Sequence, residues 1–205
     1  MKTKTFVLLT GLAALAWAHT RCVDAPQNDN VDTAIPVATP SPSDSTSLIA
    51  RGEYLVTIMG CDDCHSPKKM GPHGPEIIPE LRLSGYPAER PVAEVDANAL
   101  RQGGAFMNSD LTSATGPWGT SFAGNISSDA TGIGQWTEAQ FKKALTQGKY
   151  KGLDGGRILL PPMPWPNYSR LTDEDIRAIY LFLQSTRPVK NVVPAPRPPA
   201  SMATR

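Results

Sequence analysis

Cys61-Asp62-Asp63-Cys64-His65 is a pair of thiols separated by two residues, with an imidazole directly after the second. Covalent attachment of a c-type haem requires that spacing: each sulfur adds across one vinyl group, and the adjoining histidine is held under the iron as a nitrogen ligand. The motif predicts one covalently bound haem c, with Cys61, Cys64 and His65 as cofactor-binding residues and His65 on the metal. Other chemistries of the same residue types fit less well. Thioredoxin-like exchange places its Cys pair after a strand in a βαβ unit, and no such pattern precedes Cys61. A structural zinc ion needs four soft ligands, and Cys61, Cys64, His65 and His73 would supply them only if adjacent residues chelated one ion. A disulfide between Cys61 and Cys64 would close a very small loop and stabilise little.

Working outward from the motif, apolar residues recur at helical spacing on its N-terminal side. Leu48, Gly52, Leu55 and Met59 fall on one stripe, which predicts a helix over 48–59, N-capped by Ser47 and ended by Gly60. Gly52 is costly inside a helix, so its place on the buried stripe suggests that another helix crosses there closely. A second helix is expected from Thr137, where Thr137-Glu138-Ala139-Gln140 forms a capping box; it should bury Phe141, Ala144 and Leu145 and stop at Gly148. A third starts at Thr172, with Asp173, Glu174 and Asp175 favouring its positive N-terminus. Its residues Ile176, Ile179, Tyr180 and Leu183 make a continuous apolar face, Pro188 forbids continuation, and this is the expected partner of the Gly52 helix. Residues 68–136 show little periodicity and much Gly and Pro, so loops with short helices are expected there, and strand signal is weak throughout. The predicted fold class is therefore all-α: a helical domain with long loops around one haem.

The 205-residue chain, 40% hydrophobic, is long enough for one domain with a real core plus tails. Lys2 and Lys4, the apolar run Phe6 to Ala18 and the small-x-small ending Ala16-Trp17-Ala18 predict a secretory signal peptide over 1–18, too short for a comfortable membrane span. Residues 19–46 are rich in Pro, Ser, Thr and Asp and are expected to be a disordered tether. The domain is expected over 47–187, with residues 188–205 a Pro-rich tail without fixed structure. Cys22 lies shortly after the expected cleavage point; were it lipidated it would tether the protein to a membrane, but His19-Thr20-Arg21 lacks the small apolar residues that usually precede a lipid-bearing cysteine. Export suits haem attachment, so a periplasmic or extracytoplasmic location is expected. The chain carries 20 Lys and Arg against 19 Asp and Glu, and becomes slightly acidic without Lys2 and Lys4. With no basic patch or interleaved aromatics, nucleic acid is not an expected partner.

The second iron ligand decides between a carrier and a ligand-binding haem. Of the six methionines, Met1 and Met202 lie in the expected leader and tail, and Met59 and Met70 flank the motif too closely to reach the opposite haem face. Met163 lies in Leu160-Pro161-Pro162-Met163-Pro164-Trp165-Pro166, where prolines exclude helix and present one side chain from a stiff extended loop. It is the expected second metal ligand, with Met107 and His73 the remaining candidates. No nucleophile turn or carboxylate pair stands out, so no catalytic residues are expected and the chain reads as an electron carrier rather than an enzyme.

Several segments together resemble a class I c-type cytochrome domain, and more narrowly the haem domains in cytochrome c subunits of periplasmic, membrane-associated dehydrogenases. They are Gly52-Glu53-Tyr54-Leu55-Val56 leading into the Cys61 motif and Ser66-Pro67; Ala123-Gly124-Asn125-Ile126 through Thr131-Gly132-Ile133-Gly134-Gln135-Trp136; and Met163-Pro164 followed by Tyr168 and Leu171-Thr172-Asp173-Glu174-Asp175-Ile176. The resemblance implies His65 and Met163 as iron ligands, Asn125, Trp136 and Arg157 near the propionates, and a proline carbonyl, from Pro72 or Pro75, accepting the His65 imidazole N–H. The function expected is a monohaem cytochrome passing single electrons from a dehydrogenase donor to a cytochrome or oxidase acceptor. The alternatives are a tightly bound electron-accepting subunit of a dehydrogenase complex, or a five-coordinate haem that binds small ligands or reduces peroxide.

Overall fold

The computed structural model describes residues 44–199. The expected leader, Cys22 and nearly all of the expected tether lie outside them. In chain order the described residues form α1 (Ser45–Ile58), α2 (Cys61–His65), β1 (Lys68–Gly71), β2 (Gly74–Ile77), α3 (Ala97–Arg101), β3 (Phe106–Met107), β4 (Ser113–Gly116), β5 (Gly119–Phe122), α4 (Glu138–Gln147), α5 (Trp165–Tyr168) and α6 (Asp173–Ser185).

The three long helices follow the physical chemistry of their ends and faces. At α4, Thr137 and Gln140 cap each other, Phe141, Ala144 and Leu145 are buried, and Gly148 closes the helix at φ 64°. At α6, the Thr172 side chain accepts from Asp175 N–H, and Ile176, Ala178, Ile179, Phe182 and Leu183 are buried. Helix α1 starts at Ser45, three residues before the expected Leu48, with Asp44 in place of Ser47 at its N-cap and no side-chain cap bond. Helices α1 and α6 cross, and a Cβ built on Gly52 would fall 2.0 Å from the Ala178 carbonyl oxygen. Leu55, Val56, Leu83, Ile133, Phe141, Leu145, Ile176, Ile179, Phe182 and Leu183 make one core between α1, α4, α6 and the intervening loops.

The all-α expectation is overturned: the described residues contain a two-stranded sheet, β1-β2, and a three-stranded sheet, β3-β4-β5, both antiparallel. The strands have two to four residues, and although β4 and β5 alternate buried and half-buried positions, they do so mostly with Gly, Ala, Ser and Thr, which leaves little hydrophobic alternation to read. Both tight hairpins nevertheless share one turn sequence. Gly71-Pro72-His73-Gly74 joins β1 to β2 and Gly116-Pro117-Trp118-Gly119 joins β4 to β5, with the two glycines paired across the ladder in each case. Proline presets the bend, and Gly74 and Gly119 adopt φ of 125° and 91°, which other residues rarely reach.

A second difference lies after α6. Residues 188–199, expected to be a free tail, run as an extended strap across the domain. Thr120 and Arg197 form an antiparallel bridge through both backbone hydrogen bonds, 2.9 Å each. The Asn191 side chain donates to the carbonyls of Ser84 and Tyr86, at 2.7 and 2.9 Å, and accepts from Ala88 N–H at 3.0 Å. Proline lacks a donor but keeps its carbonyl, so a proline-rich segment is held wherever its other residues find partners.

Candidate functional site

Gly60, at φ 67°, ends the run of α1 and turns the chain directly into α2, a single turn that carries the whole Cys61–His65 motif. Three fastenings hold that turn. The Asp62 carboxylate takes a forked pair of hydrogen bonds from Arg82, 2.8 to 3.2 Å, and another from the Ser66 hydroxyl at 2.6 Å. Burial pushes the Asp62 carboxyl up, but the Arg82 and Ser66 hydrogen bonds outweigh it and leave it below the ordinary carboxylate value. The Lys68 ammonium donates to the carbonyls of Asp62, Asp63 and Ser66, gathering acceptors at the C-terminal end of the short helix, where a cation is favoured. Ser66 Oγ also accepts from Leu83 N–H at 2.8 Å, joining the motif to the loop that follows β2.

Cys61 and Cys64 are both half-buried and free. Burial, then the neighbouring Asp62, pushes the Cys61 thiol up to about 12, and burial with Asp63 also raises Cys64. Thiol–disulfide exchange and zinc ligation both use thiolates, which electropositive surroundings favour; these surroundings favour the neutral thiol. Among the described residues no three His, Cys, Asp or Glu side chains gather as a metal cluster. His73, the fourth ligand of the zinc alternative, lies in the exposed β1-β2 turn.

The His65 ring contacts a carbonyl: its Nδ1 lies 2.7 Å from Gly124 O. A carbonyl only accepts, so Nδ1 carries the proton and Nε2 keeps its lone pair. Burial holds the imidazole below its ordinary pKa, which keeps it neutral. The acceptor is thus Gly124, replacing the expected Pro72 or Pro75, both of which belong to the β1-β2 hairpin. Asn125, expected near the propionates, uses its amide inside the fold: Nδ2 donates to Thr131 Oγ1 and to the Val189 and Asn191 carbonyls, and Oδ1 accepts from Ser127. Arg157 is exposed, with its guanidinium stacked 4.0 Å over the Tyr150 ring. Trp136 is half-buried and packs against the core.

Met163 is also half-buried at the edge of the core, among a set of side chains that includes Cys61, Met59, Trp136, Tyr168 and Leu171. Its loop is positioned from three sides. Gly148 at the end of α4 lies against Trp165, so close that a Cβ there would come within 2.5 Å of the indole. The Ser121 hydroxyl of β5 donates to Pro161 O at 2.6 Å, and the Pro161–Pro162 peptide is cis. Tyr168, just after Met163, donates to Met59 O at 3.4 Å and so returns the loop to the end of α1, beside the motif. Burial, then the Cys61 and Cys64 thiols, raises the Tyr168 phenol, a sign of how near the two segments come. Met107 lies elsewhere, exposed on edge strand β3 and paired with Ala114.

These residues fit a c-type haem. Two neutral thiols sit on one turn, the adjoining imidazole is neutral with Nε2 free, and a thioether stands at the edge of the same core. Sequence reading missed the residues that hold the set in place: Arg82, Lys68, Ser121 and Gly124. Only Asp62 and Ser66 carried a local signal, their spacing of four residues on one helical face.

No protein-family model matches the chain. Over 145 residues, 70% of its length, it is 33% identical to the cytochrome c subunit of alcohol dehydrogenase (quinone) from Gluconobacter oxydans strain 621H. It is 32% identical over 145 residues to the gluconate 2-dehydrogenase cytochrome c subunit of Pantoea cypripedii, and 29% identical over 151 residues to the fructose dehydrogenase cytochrome subunit of Gluconobacter japonicus. The matched segment spans 22%, 24% and 23% of those three proteins. Fold, motif and relatives together define a c-type cytochrome domain, a unit that binds haem c. In particular, it is a domain similar to those in the cytochrome c subunits of dehydrogenases.

Proposed function

We propose that this chain is a monohaem electron carrier working outside the cytoplasm, with the haem attached through Cys61 and Cys64 and its iron held by His65 and Met163. The observation that carries this reading is the 2.7 Å contact of His65 Nδ1 with Gly124 O, which leaves Nε2 of a neutral imidazole available directly beside two neutral thiols. The haem would supply a one-electron couple; the chain's own part is to keep the ligand set still while the charge changes. Arg82 and Lys68 anchor the motif turn, Gly124 orients the ring, and Ser121 with the prolines stiffens the Met163 loop. A surround that does not move between oxidation states lets an electron pass to a docked partner without general acid or base help, so the chain acts as a carrier and not as a catalyst.

Export is supported by the leader-like first 18 residues and by the chemistry of haem attachment. Among the described residues no helix is long and apolar enough to cross a membrane. The relatives are equally consistent with a second reading that differs only in partnership, in which the chain is an electron-accepting subunit held in a dehydrogenase complex; those relatives are named as cytochrome c subunits of dehydrogenases. Protein matured in a host that attaches c-type haem decides the chemistry. Its intact mass should show one added haem, and its ferric spectrum should be low-spin with a weak Met-to-iron band. A colourless protein after acid–acetone extraction, or rapid carbon monoxide binding to the reduced form, would overturn the carrier. Co-purification with a catalytic subunit would favour the complex.

A further inference from the structure

The strap after α6 reaches both loops that hold His65. On one side, Gly85 N–H donates to the His65 carbonyl at 2.8 Å. On the other, Gly124 O takes the ring proton. These two loops are laced together, with Tyr86 N–H to Ala123 O and Ile126 N–H to Leu83 O, each 2.9 Å. They meet so closely that a Cβ on Gly85 would fall 2.4 Å from Ala123 O and 2.6 Å from the Gly124 carbonyl group. Leu83 sits at φ 63°, a left-handed conformation that a branched side chain keeps only when its surroundings dictate it.

Asn191 is the residue common to both loops. Its side chain uses both donors on Ser84 O and Tyr86 O and its acceptor on Ala88 N–H. Its backbone N–H donates to Thr131 Oγ1 at 2.9 Å, and its carbonyl accepts from Asn125 Nδ2 at 3.3 Å. Asn125 directly follows Gly124 and is itself buried, tied to Val189 O at 2.8 Å. The chain of contacts therefore runs from Asn191 through Ser84 and Tyr86 to Gly85, and through Asn125 to Gly124, closing on His65 from both ends.

The geometry points to Asn191 as a positioning residue for the His65 imidazole: it fixes the Gly124 carbonyl whose hydrogen bond sets how strongly Nε2 donates. This rests on His65 being the iron ligand proposed above. A shorter, better-aligned Nδ1–H···O bond makes an imidazole more basic and so a stronger donor, which favours the ferric state. Loosening it should favour the ferrous state and raise the reduction potential.

The test compares holoprotein carrying Asn191→Ala, Asn191→Leu and Ser128→Ala. Ser128 Oγ donates to the carbonyl of Thr186, the C-cap of α6 just before the strap, so it ties the lead-in to the strap to the same loop without touching the His65 contacts. Asn191→Ala should raise the reduction potential while keeping the low-spin spectrum and the Met-to-iron band; Ser128→Ala should lower thermal stability and leave the potential where it was. Asn191→Leu keeps the size of the side chain without adding charge but loses both donors and the acceptor, so it too should raise the potential, and it serves if the alanine variant does not accumulate. An unchanged potential in the accumulating Asn191 variant, or an equal rise in Ser128→Ala, overturns the assignment. Failure of the underlying reading looks different: His65→Ala would then leave the wild-type low-spin spectrum intact.

Discussion

Gly52 and Ala178 are in backbone contact across the two longest helices, with no room between them for a single methyl group: the missing Cβ would lie 2.0 Å from the Ala178 oxygen and 2.7 Å from Phe182 Cβ. Alanine is the better helix former by about 1 kcal/mol, but overpacking a close crossing costs about 3 kcal/mol, so the clash wins. Gly52→Ala should lower the denaturation midpoint of the holoprotein. A variant as stable as wild type would mean that the helices do not meet at this distance.

The Met163 assignment gives a spectroscopic outcome. Met163→Ala should abolish the weak Met-to-iron band, lower the reduction potential and open the reduced haem to carbon monoxide, since a thioether opposite imidazole raises the potential and closes the sixth position. Retention of the band would return Met107 to consideration.

Ser121 reaches the loop of the proposed ligand from a distance. Its buried hydroxyl donates to Pro161 O at 2.6 Å, and removing it takes that bond from the loop, a loss of about 1 kcal/mol. Ser121→Ala should therefore let the Met-to-iron band disappear at a lower temperature than in wild type, with the potential at room temperature nearly unchanged. Coincident melting of the band in the two proteins would show that the hydroxyl does not brace the loop.

Asp110 sets a floor on acid stability. Its side chain is 4% exposed and accepts from Arg90 at 2.6 Å, from the Thr112 hydroxyl at 2.7 Å and from Asn108 at 2.8 Å. Burial pushes the carboxyl up, but the Thr112 and Arg90 hydrogen bonds prevail and hold it below its ordinary value of 3.8. A lowered folded pKa means that the stabilisation is complete above the unfolded value and is lost as pH falls through the folded one. Stability should thus decline below about pH 4 by a component that Asp110→Asn removes, measured by denaturant midpoints against pH. At neutral pH, Arg90→Met should cost about 3 kcal/mol, because it leaves a buried carboxylate without its cation.

What was legible in the chain followed from local rules. The Thr137 box, the acids after Thr172 and the spacing of Ile176, Ile179 and Leu183 are all satisfied within a few residues, and α4 and α6 stand where those signals put them. Even Gly52, a local oddity, pointed to its crossing. The strands escaped because none is longer than two periods of its own pattern; the repeated Gly-Pro-x-Gly at 71 and 116 was the readable sign. Within the candidate site, the Cys61-to-His65 motif was plain, while its supports were not. Arg82 lies twenty residues from Asp62, Gly124 fifty-nine from His65 and Asn191 over a hundred from Ser84, and no local spacing rule encodes partners that far apart. The proline-rich C-terminal stretch misled for a related reason: its composition describes what it cannot do for itself, and its order comes from Thr120, Ser84, Tyr86 and Asn125.

The strap also moves the boundary at which this unit can be cut. A fragment ending at Ser185 would keep every helix and every strand, yet the turns behind His65 would have lost their outer fastening. Anyone joining this domain to an electrode-bound or fused enzyme should place the linker beyond Pro199, because the last helix ends at Ser185, well before the contacts that Asn191 and Arg197 make.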